Sequence, residues 1–351
     1  MLYYEIILMV GVTFIISLIT VGISKKISVH VGAIDKVNDD QAFRRMHKKA
    51  LPRLGGLGMF LAFLAGYVLF GPVTTQMVSI IIGAFVLILV GMIDDINDVK
   101  QRYKFISHII AACLVVFYGN LTIDYIHAFG QVFMFPSPIN YLLPILFIIG
   151  AINAINLIDG LDGLSSGLTA IFFITISFIA ITMSQFIGLD IIISLLMLGA
   201  VLGFLFHNFH PATIFAGDCG SQFMGYMIAV VALLGYKNVT FTSLIIPLLL
   251  LAVPILDTFL AIVRRLIKGG GINKGDKYHI HHQIMSMTNS TRKTVLIIYV
   301  IAGLFALASI IYTLGDSQIG FILYAILFVI VLWIAAITTI FRDKIGKNKK
   351  S

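Results

Sequence analysis

The chain has 351 residues, of which 59% are hydrophobic and only 11% charged, with a formal net charge of +8. A soluble domain carries about a quarter charged residues, so this composition excludes a soluble enzyme. A membrane β-barrel is excluded as well, because apolar runs near 20 residues recur where a barrel would alternate over about ten.

The apolar runs predict eleven spans, at 4–24, 55–71, 74–93, 105–119, 139–156, 163–184, 187–206, 221–236, 240–263, 294–314 and 319–341. Lysine and arginine collect in cytoplasmic loops, and here they orient the chain. Eight lie in 25–54, three in 94–104, seven in 264–293 and five in the tail, which leaves only Lys237 of the 24 on the other side. Dropping a span would scatter that distribution. The expectation is therefore an all-α, polytopic integral membrane protein with about 11 transmembrane helices. It forms a single transmembrane catalytic domain over 1–351, with the N-terminus outside and the C-terminus cytoplasmic. The first span is not read as a cleaved signal, because Lys25 and Lys26 follow its apolar run instead of preceding it. The basic inner face meets anionic headgroups of the lipid bilayer. No basic domain interleaved with aromatics is present, so no nucleic-acid partner is expected. Cys113 and Cys219 do not form a disulfide framework. In the outer segment 119–138, alternating apolar residues around Gly130 predict a short two-stranded hairpin without a catalytic role.

Acids at a membrane edge are costly and usually functional, and most of the acids here fall on the inner side. Taken in chain order, 47–56 (HKKALPRLGG) sets Lys48 and Arg53 before paired glycines. Positive-inside anchoring accounts for bases there, but not for the Pro-Arg-Leu-Gly-Gly ending. Asp94 and Asp95 end the third span. Adjacent helical residues point about 100° apart, so one can meet a metal while the other meets a substrate or a base. In 153–167 (NAINLIDGLDGLSSG), Asn153, Asn156 and Asp159 form a drifting stripe, and Asp162 follows among glycines that let a backbone approach phosphate. In 207–223, Asn208 and Phe215 precede Asp218 at a helix start. On its own Asp218 reads better as a cap than as a ligand for a hard cation. Residues 276–284 (DKYHIHHQI) carry His279, His281 and His282 without a neighbouring cysteine, which fits phosphate better than zinc. Hard-cation carboxylates, amides, glycine loops, histidines and bases on one membrane face suit a nucleotide diphosphate held through Mg²⁺ and a phosphate on a lipid.

With these motifs in this order, the chain resembles the polyprenyl-phosphate N-acetylhexosamine-1-phosphate transferases over nearly its whole length. The resemblance rests on Asp94-Asp95, on Asn153 through Asp162-Gly163, on Asn208 through Gly217-Asp218-x-Gly-Ser221, and on His279-Ile-His281-His282. The muramoyl-pentapeptide branch has ten spans, a Thr-Pro-Thr-x-Gly-Gly segment and three consecutive histidines. This chain departs from it with Pro52-Arg53-Leu54-Gly55-Gly56, His-Ile-His-His and an eleventh span. Those features are similar to the branch using UDP-N-acetylglucosamine; within it, overall likeness and no single motif makes the chain most similar to enzymes that initiate wall teichoic acid synthesis.

The resemblance implies transfer of N-acetylglucosamine 1-phosphate from UDP-N-acetylglucosamine to undecaprenyl phosphate, with release of UMP, at the cytoplasmic face of a bacterial plasma membrane. It implies Mg²⁺ as cofactor, with Mn²⁺ as a substitute, and is compatible with a homodimer. Asp94, Asp95 and Asp218 are the expected metal residues. Asp94, Asp95, Asp159, Asp162, His279, His281 and His282 are the expected catalytic ones. Lys48, Arg53, Asn153, Asn156, Asn208 and Phe215 are expected to bind substrate. The competing class is a transporter, for which Pro247, Pro254 and Asp257 in the ninth span are the best support. The one-sided acids and the lack of an internal repeat argue against it.

Overall fold

The computed structural model describes residues 3–35, 50–128, 131–183, 188–238 and 280–348. The ninth predicted span at 240–263, with Asp257, lies outside these, as do Lys48, Asp276 and His279. The chain divides into two compact units, 1–244 and 245–351.

The first unit runs α1 (Tyr3–Val31), β1 (Ile34–Asp35), β2 (Leu51–Pro52), α2 (Gly55–Phe70), α3 (Thr75–Ile96), α4 (Gln101–Cys113), β3 (Tyr125–Ala128), β4 (Gln131–Met134), α5 (Ile139–Ile158), α6 (Leu164–Met183), α7 (Leu189–Asn208) and α8 (Gly217–Asn238). Residues Leu114–Tyr118 continue α4 as one π-helical turn. The second unit contains α9 (Ile280–Thr288), α10 (Thr291–Leu314) and α11 (Ser317–Asn348). Among the described residues seven helices, α1, α3, α5, α6, α7, α8 and α10, are long and apolar enough to cross a membrane. The chain is thus a polytopic, mostly helical membrane protein. Its outward apolar side chains, such as Ile7, Ile15, Ile19, Phe321 and Trp333, are exposed as a lipid-facing surface requires.

Helix boundaries follow local chemistry. Helix α1 runs seven residues past the predicted end at 24, because nothing in 25–31 breaks it. It stops at Gly32, whose φ of +77° closes the helix while Ala33 N–H returns to the Ser28 carbonyl at 2.9 Å. Helix α3 starts at Thr74, whose hydroxyl accepts from Met77 N–H at 3.1 Å. The hairpin expected in 119–138 forms, β3 antiparallel to β4 with Ala128 opposite Gln131.

Helix α8 is the hub. It packs on α2, α3, α5, α6 and α7 and is buried over most of its length. This explains why it is apolar all round rather than on one stripe. Lipid is as apolar as leucine, so close approach and hydrogen bonds drive helix association here, each bond contributing about 0.6–2 kcal/mol. The α1–α7 contact shows both. A Cβ on Gly199 would stand 2.6 Å from the Val10 carbonyl, and Ser17 Oγ donates to the Ala200 carbonyl at 2.6 Å. Thr20 Oγ1 donates likewise to Gly58 on α2 at 2.8 Å. In the second unit α10 packs on α11 around Phe305, Ala308, Tyr324 and Val331, and Tyr324 donates to Ser309 Oγ at 2.7 Å.

Candidate active site

The C-terminal end of α3 and the N-terminal end of α8 bring Asp94, Asp95 and Asp218 together. Each offers a carboxylate oxygen within 4.8 Å of the others. The two adjacent aspartates then diverge. Asp95 turns to the start of α8, where its Oδ1 accepts from Asp218 N–H at 2.9 Å and its Oδ2 from Cys219 N–H at 3.2 Å. It therefore satisfies two of the unpaired amides of that helix terminus and complements its dipole. Arg53 stands behind it, Nε 3.4 Å from Oδ1. Asp94 turns to α4. Its Oδ1 accepts from Val99 N–H at 2.8 Å and its Oδ2 from Lys104 Nζ at 2.9 Å.

Lys104 joins the two helices, because the same ammonium lies 2.7 Å from Asp218 Oδ2. Burial works against its charge, but Asp218 and Asp94 outweigh that and hold its pKa above the ordinary lysine value. Arg53 is raised in the same way, burial opposing and Asp95 and Asp218 prevailing. The other oxygen of Asp218 faces α5, where Asn156 Nδ2 stands 3.4 Å away and also donates to Ser221 Oγ at 2.8 Å. Gln222, one turn along α8, reaches Asp218 Oδ2 at 3.4 Å.

Close backbone contact makes this cluster, and the Pro-Arg-Leu-Gly-Gly run is the reason it forms. Phe215 N–H donates to the Pro52 carbonyl at 2.8 Å, while Gly55 and Gly56 N–H donate to the Phe215 and Ala216 carbonyls at 3.0 and 2.9 Å. A Cβ on Gly56 would sit 2.2 Å from the Gly220 nitrogen. Gly217 has φ +73°, and a Cβ there would meet the Arg53 carbonyl oxygen at 1.9 Å and Asp95 Oδ2 at 2.4 Å. Only glycine permits both the conformation and the approach.

A second network ties the loop after α5 to the loop before α8. Asp162, 1% exposed, accepts through Oδ2 from Ala212 N–H at 3.1 Å and lies 2.8 Å from His210 Nδ1. Asn208 Oδ1 accepts from Gly163 N–H at 3.0 Å and Ser166 Oγ at 2.8 Å, and its Nδ2 donates to the Ile214 carbonyl at 3.0 Å. Both ends of that amide are thus engaged within the protein. Asp159 lies at the end of α5 and accepts from Ser165 Oγ. Burial, above all, pushes its carboxyl up to about 6, with Asp218 and Asp162 adding to the rise and Ser165 and Arg53 opposing it.

Of the residues expected from the sequence, Asp94, Asp95, Asp218, Asn156 and Arg53 therefore meet in one cluster. Asp162 and Asn208 belong to the loop network, and half-buried Phe215 pairs through its backbone with Pro52 and Gly55. Asn153 donates within its own helix to the Ile149 carbonyl at 2.7 Å. His281 and His282 fall in α9 of the second unit, their side chains outside the described residues. Lys104, Ser221, Gln222 and His210 went unassigned in the sequence. For Lys104 the usable signal is its position at the first turn of α4, ten residues after Asp94, where a cation can turn back onto the preceding helix end.

Three converging carboxylates, two of them bridged by an ammonium, could hold a cation, and hard oxygen donors of this kind fit Mg²⁺ or Mn²⁺. Residues 77–236 match the model of glycosyl transferase family 4. Over 340 residues, 95% of this chain and 93% of the relative, the chain is 39% identical to a probable undecaprenyl-phosphate N-acetylglucosaminyl 1-phosphate transferase of Bacillus subtilis (strain 168). It is 31% identical over 85% of its length to the decaprenyl-phosphate N-acetylglucosaminephosphotransferase of Mycobacterium tuberculosis (strain ATCC 25618 / H37Rv), 80% of which is covered. It is 30% identical over 86% of its length to the undecaprenyl-phosphate alpha-N-acetylglucosaminyl 1-phosphate transferase of Pasteurella multocida (strain Pm70), 84% of which is covered.

Proposed function

Because the chain belongs to glycosyl transferase family 4, we propose that it transfers N-acetylglucosamine 1-phosphate from UDP-N-acetylglucosamine to undecaprenyl phosphate. UMP is released at the cytoplasmic face of a bacterial plasma membrane, as the first membrane step of a teichoic-acid-type polymer. The observation that carries this reading is the meeting of Asp94, Asp95, Asp218, Lys104 and Arg53 at adjoining helix ends.

In this reaction an oxygen of the lipid phosphate forms a bond to the β-phosphorus, the one bearing the sugar. The bond from that phosphorus to the bridging oxygen breaks, and UMP leaves with the electron pair. Phosphoryl transfer asks the protein mainly for positioning and charge neutralisation. Asp94 and Asp218 would hold a divalent ion, which when bound would supply charge neutralisation for the diphosphate. Asp95 caps α8 and so aims Asp218. Arg53 and Lys104 supply positive charge for the phosphates, and Asn156 orients Asp218 and the donor. The acceptor's second pKa lies near 6, so it arrives largely ionised and asks little of a general base. Asp159, Phe215 and the loops held by Asp162 and Asn208 shape the uridine side. By their sequence motif alone, His279, His281 and His282 are the further candidates for donors to the sugar or the departing phosphate, and Lys48 for substrate binding.

The test is a radiolabelled UMP-exchange assay on the purified protein with UDP-N-acetylglucosamine and undecaprenyl phosphate. Metal-dependent exchange supports the reading. A protein without exchange that moves solute across vesicles would replace it with a transporter.

A further inference from the structure

We propose that Lys104 is a built-in counter-ion which a divalent cation must displace, and that the displaced ammonium then takes a phosphate of the donor. The second half rests on the transferase reading. The first half rests on geometry alone.

The ammonium sits 2.9 Å from Asp94 Oδ2 and 2.7 Å from Asp218 Oδ2, and so connects α3 and α8 from α4. The opposite oxygen of each acid is steadied by a neutral donor, Val99 N–H at 2.8 Å for Asp94 and the Asn156 amide at 3.4 Å for Asp218. The two oxygens facing Lys104 are therefore held in place and aimed at a cation. Asp95 brings a third carboxylate within 4.8 Å of both. Without a positive charge in their midst these acids would repel one another in poorly hydrated surroundings. Arg53 meets Asp95, and Lys104 supplies the charge between Asp94 and Asp218 that ties the ends of α3 and α8 together.

A divalent ion bound by the same two oxygens would stand a few ångströms from the ammonium, and the repulsion between the cations favours departure of the lysine. Metal binding is then an exchange, and its apparent affinity is lowered by the work of expelling the lysine. Lysine suits this role better than arginine does. Its charge is compact and rides on a flexible four-carbon stem, whereas a guanidinium fork would grip both carboxylates. The side chain is 17% exposed, so the ammonium is not sealed behind the acids. A released ammonium meets the incoming diphosphate. Metal and donor should consequently bind with positive coupling, each favouring the state in which the lysine has left the acids.

The test uses the full chain in detergent with Mn²⁺ alone, its binding followed by electron paramagnetic resonance. Lys104→Met should bind Mn²⁺ about tenfold or more tightly than the wild type. Mn²⁺ should also raise its melting temperature by more than it raises that of the wild type. Lys104→Arg, which keeps a cation between the acids, should bind no more tightly than the wild type. Lys104→Gln gives the same reading if the methionine variant folds poorly. Equal or weaker Mn²⁺ binding in the neutral variants, with a melting response of wild-type size, would overturn the exchange. Binding of UDP-N-acetylglucosamine at saturating Mn²⁺ should weaken in Lys104→Met. Tighter Mn²⁺ with unchanged donor binding would overturn the hand-over to phosphate. Neither readout uses turnover, so either failure is distinct from failure of the transferase reading, which UMP exchange decides.

Discussion

Asp218 and Asp162 are both acids beside the loops of the first unit, yet their surroundings differ in kind. Asp218 is held mainly by side chains, Lys104, Asn156 and Gln222, reaching it from α4, α5 and its own helix. Asp162 is held by the backbone of Ala212 and by His210, beside an amide of Asn208 that fastens the same two loops. A side chain can rotate away and give its place to a ligand. A backbone amide cannot leave without the loop moving. The first arrangement therefore suits exchange of partners and the second suits permanence. Intramembrane acids are usually functional, but what each does depends on whether its partners can leave.

The largest effect expected from this contrast is at the exchangeable acid. Asp218→Asn should lower turnover by about 10³-fold, the scale for losing a charge-stabilising group, while far-ultraviolet dichroism and melting stay close to wild type. Turnover within a few-fold of normal would place Asp218 outside the site.

The loop network should respond in the opposite way. Asn208→Ala removes the three hydrogen bonds to the Gly163 amide, the Ser166 hydroxyl and the Ile214 carbonyl, at about 1–3 kcal/mol for a buried group left unpaired. A clear drop in melting temperature should accompany a smaller loss of turnover at permissive temperature, with the metal requirement unchanged. A stable variant with abolished donor binding would instead put the amide in contact with the substrate.

Asp159 gives a milder, pH-dependent signature. Its carboxyl titrates near 6 in the folded protein, chiefly through burial, against about 3.9 when unfolded. The folded state then binds the proton more tightly. The stability this group contributes is present below about 4 and is lost as pH rises through about 6. Thermal melting of the wild type should fall over that window relative to Asp159→Asn. Parallel pH curves for the two proteins would show that Asp159 is not the group responsible.

The smallest effect is expected at the β3–β4 hairpin. Deleting residues 129–130 shortens a hairpin whose strands carry no member of the carboxylate cluster. Exchange activity should change by less than about twofold, as surface changes away from buried networks usually do. A loss rivalling that of Asp218→Asn would break the distinction between the two membrane faces.

How far the site was legible depends on the kind of signal each residue leaves. Asp94, Asp95, Asp159 and Asp218 announce themselves because a carboxylate between apolar runs is expensive wherever it lands. The hairpin is readable because alternation and a central glycine are local. Lys104 is hidden, since any lysine in an inner loop is already accounted for by the positive-inside rule. The division between Asp94 and Asp95 is hidden too. Their 100° divergence is predictable, but which one faces the amides of α8 is not. Helix α1 outran its predicted end because hydropathy marks where a span leaves the apolar layer, whereas the helix itself stops only at Gly32.

Composition and hydropathy were enough to establish a many-span membrane protein. Hydropathy and charge belong to each residue in its solvent and need no partner to be read. Only the tertiary structure decided what each polar group does, because that depends on pairs that chain proximity cannot supply. Lys104 meets Asp218 across 114 residues, and Asp95 meets the amide of Asp218 across 123. Glycines at 56 and 217 allow those meetings by letting backbones touch where any side chain would hold them apart.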